Sequence, residues 1–163
     1  MYPATTIAYA FIKRGIDECN PINQMKLQKM LYFAHGYHLI LYKKPLIKEI
    51  FQAWKYGPVI PSVYHSCKIY GSGDIIDTSY FISINGEPNL KLIDSESLNT
   101  INITWEILKD ISGLALSSWT HTEGSPWIKH YIEGVNDIPI PNKDIEEYFS
   151  SFLKKSETTD ATA

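Results

Sequence analysis

Gln24-Met25-Lys26-Leu27-Gln28-Lys29-Met30-Leu31-Tyr32-Phe33-Ala34-His35-Gly36-Tyr37-His38-Leu39-Ile40-Leu41-Tyr42 is the stretch whose reading decides the fold. Leu27, Met30, Leu31, Ala34, His38 and Leu41 recur at i, i+3, i+4 and i+7, the period of one helical face, and Phe33, Tyr37 and Ile40 add a second apolar edge. A helix apolar over more than half its circumference belongs inside a fold. The sequence therefore predicts a central buried helix over about 24–42, with Asn23 as its N-cap and Lys43-Lys44-Pro45 as its stop. Gly36 costs this helix about 1 kcal/mol relative to alanine unless another backbone approaches closely there.

Working outward, Ala4 to Ile16 carries Ile7, Ala10, Phe11 and Gly15 on one stripe and reads as a first helix. Downstream the period changes to two, with Ile50, Gln52, Trp54 and Tyr56 alternating against Phe51, Ala53 and Lys55, which predicts a short strand near 50–56. Gly57-Pro58 turns the chain, and Ile60 to Tyr70, with Pro61 in its first turn and Gly71 at its end, predicts a helix. Tyr80 to Ile84 and Leu90 to Ile93 flank Asn85-Gly86, the pattern of a β-hairpin near 80–93. Helices are then expected from Asp94 or Ser95 to Ile111, closed by Gly113, from Leu114 to Trp119, and from Pro126 to Tyr131. After a loop over 134–141, a last helix from Asn142 to Leu153 turns Ile145, Tyr148, Phe149 and Phe152 inward. The fold class expected is mainly α, within α+β, as one domain over 1–153 with a disordered polar tail over 154–163.

The composition fits one globular domain: 163 residues, 44% hydrophobic, 20% charged and 13% aromatic. A net charge of -3 and a single arginine, Arg14, argue against a dedicated nucleic-acid binder, which leans on basic patches and bidentate guanidinium contacts. Cys19 and Cys67 form no Cys-x-x-Cys motif, so neither a disulfide framework nor a zinc ribbon is expected. No apolar run approaches the roughly 18 residues of a membrane span, and no signal peptide is read at Met1-Tyr2-Pro3-Ala4. The expected setting is the cytoplasm, with no membrane and no nucleic-acid partner.

Three groups of residues have candidate chemistry. His35 and His38, three apart on the central helix, could share a metal only if Glu49 or His65 joined them through the fold; the alternative is hydrogen-bonded packing. Ser117, Ser118, His121 and Glu123 contain the residue types of a hydrolytic triad, but Leu116-Ser117-Ser118-Trp119 lacks the glycine-flanked elbow of a serine nucleophile. The alternative there is helix capping by Thr120 and His121. Gly71-Ser72-Gly73 follows a helix instead of opening one, unlike a phosphate loop. Trp54, Tyr56, Tyr64, Tyr70, Trp119 and Trp127 stand at element ends and Gly/Pro turns, where rings either finish a core or serve a protein interface.

Met25 to Leu39 closely resembles the first signature of the Panacea, or SocA-like, antitoxin domain family, formerly a domain of unknown function that includes phage-associated proteins of the GepA type. Phe51 to Tyr64, with Trp54-Lys55-Tyr56-Gly57-Pro58 at its centre, resembles the second signature, and Leu116 to Trp127, with Thr120-His121-Thr122-Glu123-Gly124-Ser125-Pro126, the third. The resemblance covers about Ala4 to Phe152. It implies a mainly helical domain that neutralises a cognate toxin, encoded next door, by direct binding, and in the SocA branch an adaptor that delivers the toxin to the ClpXP protease. It implies no enzymatic activity and no cofactor. The signature and candidate partner-binding positions are Lys26, Gln28, Lys29, Tyr32, His35, His38, Trp54, Tyr56, Gly57, Pro58, Tyr64, Thr120, His121, Glu123, Pro126 and Trp127. In this reading the two turns at Gly57-Pro58 and Gly124-Ser125-Pro126 fix Trp54 and Trp127, with His121 tying them by hydrogen bonds. Alternative readings are a histidine- or metal-dependent hydrolase, and a phage or mobile-element protein that binds another host factor.

Overall fold

The computed structural model describes the backbone of residues 1–160 and the side chains of residues 1–154. Helix α2, Gln24–Tyr42, runs through the middle. Around it pack α1 (Ala4–Asp17), α3 (Pro61–Cys67), α5 (Ser95–Leu108), α6 (Gly113–Thr120) and α8 (Asn142–Asp160). The hairpin β1 (Gln52–Trp54) and β2 (Gly57–Val59) also packs against it. Twelve of the 19 residues of α2 are buried, on all sides of the helix, so its amphipathicity is low because it is a core element. Asn23 caps it, accepting from the Lys26 N–H at 2.9 Å, and Lys43, at φ +56°, closes it by donating to the Leu39 carbonyl.

Gly36 answers to a side chain, not a backbone. A Cβ there would lie 2.5 Å from the Phe149 ring of α8. That ring is itself boxed in by Tyr32, Phe33 and Tyr37 at centroid distances of 5.6 to 5.9 Å. α1 is capped from outside by Glu49, whose carboxylate accepts from the Ala4 N–H at 2.8 Å.

Four expectations need correction. Residues 80–93 form no hairpin: α4 (Ser79–Asn85) and a 3-10 turn (Leu90–Leu92) occupy the stretch. Only Phe81 of α4 is buried, against Tyr9, while Tyr80 and Ile84 stay exposed, so a strand would have no continuous face to bury. Asn85-Gly86 ends the helix instead, with Gly86 at φ +76° donating to the Ile82 carbonyl. The protein's hairpin lies at 52–59, with Trp54 opposite Gly57 across a Lys55-Tyr56 turn. Gly113 opens α6 instead of closing α5, because a Cβ there would meet the Lys26 N–H nitrogen at 2.8 Å where the two helix N-termini touch. Phe152 is 51% exposed, since the aromatic cluster is already filled by Phe149. α8 continues past Leu153 to Asp160, while residues 161–163 of the expected tail lie outside the described residues.

Candidate functional site

The hairpin is short and has one outer neighbour, a bridge from Gln52 to Pro139, with the Ala53 N–H donating to the Ile138 carbonyl and Ile140 donating to Phe51. Backbone groups left over by so small a sheet must find partners elsewhere. Side chains from three other segments supply them. From α2, Gln28 grips Ile60 at both ends, accepting its N–H at 2.9 Å and donating to its carbonyl at 3.2 Å. The next residue, Lys29, donates to the Pro58 carbonyl at 3.0 Å. From α6, Ser117 donates to the Tyr56 carbonyl at 2.7 Å. From α7 (Pro126–His130), Trp127 Nε1 donates to the Trp54 carbonyl at 2.7 Å.

These bonds bring the three sequence signatures together on one hairpin. Gly57 holds φ +110°, and a Cβ there would strike Thr120 Oγ1 at 2.6 Å and Lys29 Cε at 2.8 Å, so the position takes glycine on both counts. Thr120 donates to the Ser117 carbonyl at 2.7 Å and its own carbonyl accepts from Ser125, the N-cap that precedes Pro126. His121 does not tie the turns as expected. Its ring lies 3.8 Å from that of Trp127 and its buried Nε2 has no partner; the indole N–H of Trp127 makes the link instead. Burial, and then the nearby Lys29 charge, hold the imidazole below the ordinary histidine range.

Lys29 is the most unusual group. It is 1% exposed, makes a single hydrogen bond although an ammonium has three donors, and has no carboxylate partner among the described residues. Burial pushes its pKa down to about 7. Lys26, by contrast, donates to the Lys109 carbonyl and feels the charges of Asp110 and Asp74.

Above the hairpin opens a cleft of about 820 Å³, walled by the first turns of α2 and α6, the Lys55-Tyr56 turn, and Tyr64 and Lys68 beyond β2. Its apolar lining is Met25, Trp54, Tyr56, Val59, Tyr64 and Leu114, with the Trp54 and Tyr64 rings 4.9 Å apart. Tyr56 and Leu114 are 59% and 72% exposed on its rim. A second groove, of about 630 Å³, lies between α2, the end of α6 and α8, lined by Phe33, Tyr37, Trp119, Tyr148 and Phe152.

The candidate residues thus divide. Gln28, Lys29, Trp54, Tyr56 and Tyr64 line the first cleft, and Tyr32, Thr120 and Glu123 the second. Gly57, Pro58, Pro126 and Trp127 are scaffold. His35 and His38 are hydrogen-bonded in the core. His35 Nδ1 accepts from the Ile47 N–H at 3.3 Å, which leaves Nε2 to donate to Asn142 Oδ1 at 3.0 Å, and His38 Nδ1 bonds Thr100 Oγ1 at 2.8 Å. Burial holds the His35 pKa down to about 4. Among the described residues no three His, Cys, Asp or Glu side chains stand close enough to hold a metal ion. Ser117, committed to the Tyr56 carbonyl, is not placed as a nucleophile against His121. Sequence reasoning missed Met25, Lys55, Lys68, Leu114 and the α6 N-terminus as cleft residues: they come from four separate segments, and no motif joins them.

The family model described as Antitoxin SocA-like, Panacea domain matches residues 27–128, from α2 through the hairpin to α7. Antitoxin SocA of Caulobacter vibrioides (strain NA1000 / CB15N) is 34% identical over 115 residues, which is 66% of this chain and 58% of the relative. The chain therefore matches less than two thirds of that relative's length. No solved structure matches.

Proposed function

The chain belongs to the SocA-like, Panacea-domain antitoxin family, and from that premise we propose that it acts as an antitoxin, binding a cognate toxin protein directly and blocking its action. Family membership carries this reading. The geometry supports it in kind: the signature side chains hold a shelf of backbone in place, and exposed rings and aliphatic side chains rim the cleft above it, as in protein-binding surfaces. The one arginine is engaged at the surface, bonding Glu18 at 2.7 Å and Glu106 and Asn102 at 2.8 Å, which leaves no guanidinium for a nucleic acid. No helix of the described residues is long and apolar enough to cross a membrane. The partner on this reading is a toxin encoded beside the gene and met in the cytoplasm, and a SocA-type role adds delivery of the bound toxin to ClpXP.

Co-expression with the product of each adjacent gene tests the proposal. Rescue of growth together with co-purification is expected for one of them; neighbours that are all harmless, or a toxic one that neither binds nor is neutralised, refute it. The adaptor role predicts that toxin half-life lengthens when either this chain or the protease is deleted. An unchanged half-life removes the adaptor role and leaves neutralisation by binding.

A further inference from the structure

The cleft beside the hairpin has an electrostatic character at odds with the rest of the molecule. The protein is acidic overall, at net charge -3, yet the cleft lining contains Lys29, Lys55 and Lys68 and no aspartate or glutamate. Outside it, Lys13, Lys43, Lys44, Lys109 and Lys143 pair with carboxylates, and Lys26 bonds the Lys109 carbonyl. None of the three cleft lysines has an ion-pair partner among the described residues.

The backbone adds to the same sign. The N-termini of α2 and α6 both form the cleft wall and abut at Gly113 and Lys26, so two positive helix ends are held together. Neither helix has an acidic residue in its first turn to offset this. Asp74, bridged to the α2 N-cap Asn23, and Asp110, two residues before the α6 N-cap Ser112, offset these ends from outside the cleft, but inside it the buried Lys29 faces no carboxylate, an arrangement that an incoming negative group completes.

We propose that this cleft receives an acidic segment of the partner protein, a carboxylate of which is drawn towards Lys29 while an adjacent apolar side chain packs on Trp54 and Tyr64. The inference rests on the antitoxin reading for the partner's identity, but not for its chemistry. A protein segment fits better than a phosphate backbone because the lining has no arginine to grip phosphate in a fork, and because exposed Tyr56 and Leu114 continue the apolar surface beyond the cationic floor.

Two measurements test it. In the first, the 15N-labelled full chain is titrated with Ac-Gly-Glu-Phe-Asp-Gly-NH2 and with its neutral twin Ac-Gly-Gln-Phe-Asn-Gly-NH2. Saturable shifts at Gln24, Lys55, Lys68 and Gly113 are expected for the acidic peptide, with affinity about tenfold or more above the twin and lost in K55E/K68E. Equal binding of both peptides, no cleft shifts at millimolar peptide, or the same shifts from inorganic phosphate would each overturn the assignment. In the second, K55E/K68E is compared with K43E/K44E, which changes net charge equally but lies just past the far end of α2, about 28 Å away along its axis. Toxin affinity is expected to fall about tenfold or more for the cleft pair alone. If the wild-type chain neutralises its toxin and both double variants do so equally, the cleft assignment fails while the antitoxin reading stands. If no neighbouring product is neutralised but the peptide result holds, the reverse is true.

Discussion

Replacing Lys29 by methionine removes the buried ammonium while keeping the length of the side chain. A pKa drawn down from 10.5 to about 7 means that the charged form is disfavoured in the fold by about 5 kcal/mol, most of which is already felt at pH 7. Against this, K29M leaves the Pro58 carbonyl without its donor, a loss of about 1–3 kcal/mol. The variant is therefore expected to be more stable than wild type at pH 7, by about 2 kcal/mol. The pH dependence is the sharper signature. Between the folded and unfolded pKa values the unfolded lysine binds more protons than the folded one, so wild-type stability rises with pH relative to the variant. From pH 7 to 9.5 the difference should shrink by about 3 kcal/mol and change sign. Urea titrations followed by tryptophan fluorescence at half-unit pH steps measure it, and other titrating groups cancel because both proteins contain them. Parallel stability curves across this range would refute the reasoning, since they would mean that Lys29 keeps an ordinary pKa.

Two further predictions concern the core. Gly36→Ala should destabilise the protein by about 1–2 kcal/mol in thermal or urea unfolding, because the Phe149 ring that must move is wedged between three other rings, and overpacking outweighs the roughly 1 kcal/mol helix propensity gained; a variant more stable than wild type would count against the packing described. His35, held neutral down to about pH 4, gives the fold a stability that is complete above 6.5 and is lost as pH falls from 6.5 towards 4, by about 3 kcal/mol. In H35Q that part of the acid limb should flatten, and an unchanged slope would show that the imidazole takes up its proton in the folded state.

Much of the architecture is written in local pattern. The bounds of α2 follow from Asn23, from an apolar period that wraps the helix, and from Lys43-Lys44-Pro45, all local signals. The hairpin at 80–93 misled because Asn-Gly serves two structures, a tight β-turn and a left-handed helix end, and the choice between them depended on whether Tyr80 and Ile84 had anything to cover. The true hairpin gave only half its signal, since β2 is Gly57-Pro58-Val59 and owes its pairing to Gln28, Lys29 and Ser117 reaching in from elsewhere. For the site, the tryptophans were legible as residue types, but the turn expected at Gly57-Pro58 falls at Lys55-Tyr56, with Gly57 and Pro58 in β2, and the positive cleft was not legible. Its charge is a sum over Lys29, Lys55, Lys68 and two helix ends that only tertiary structure brings together.

The hairpin at 52–59 is secured by α2 before it, by Ser117 and Trp127 well after it, and by the Pro139–Ile140 segment later still. During synthesis, at about 5–20 residues per second, the strands leave the ribosome seconds before the last of their partners. A nascent chain stalled near residue 110 would contain every aromatic residue of the cleft and none of the α6 and α7 bonds that hold its floor. Completion of this floor is thus a late event in the life of each molecule, and a chain broken near residue 110 would lack the Ser117 and Trp127 bonds that fix it even with its ring-bearing half intact.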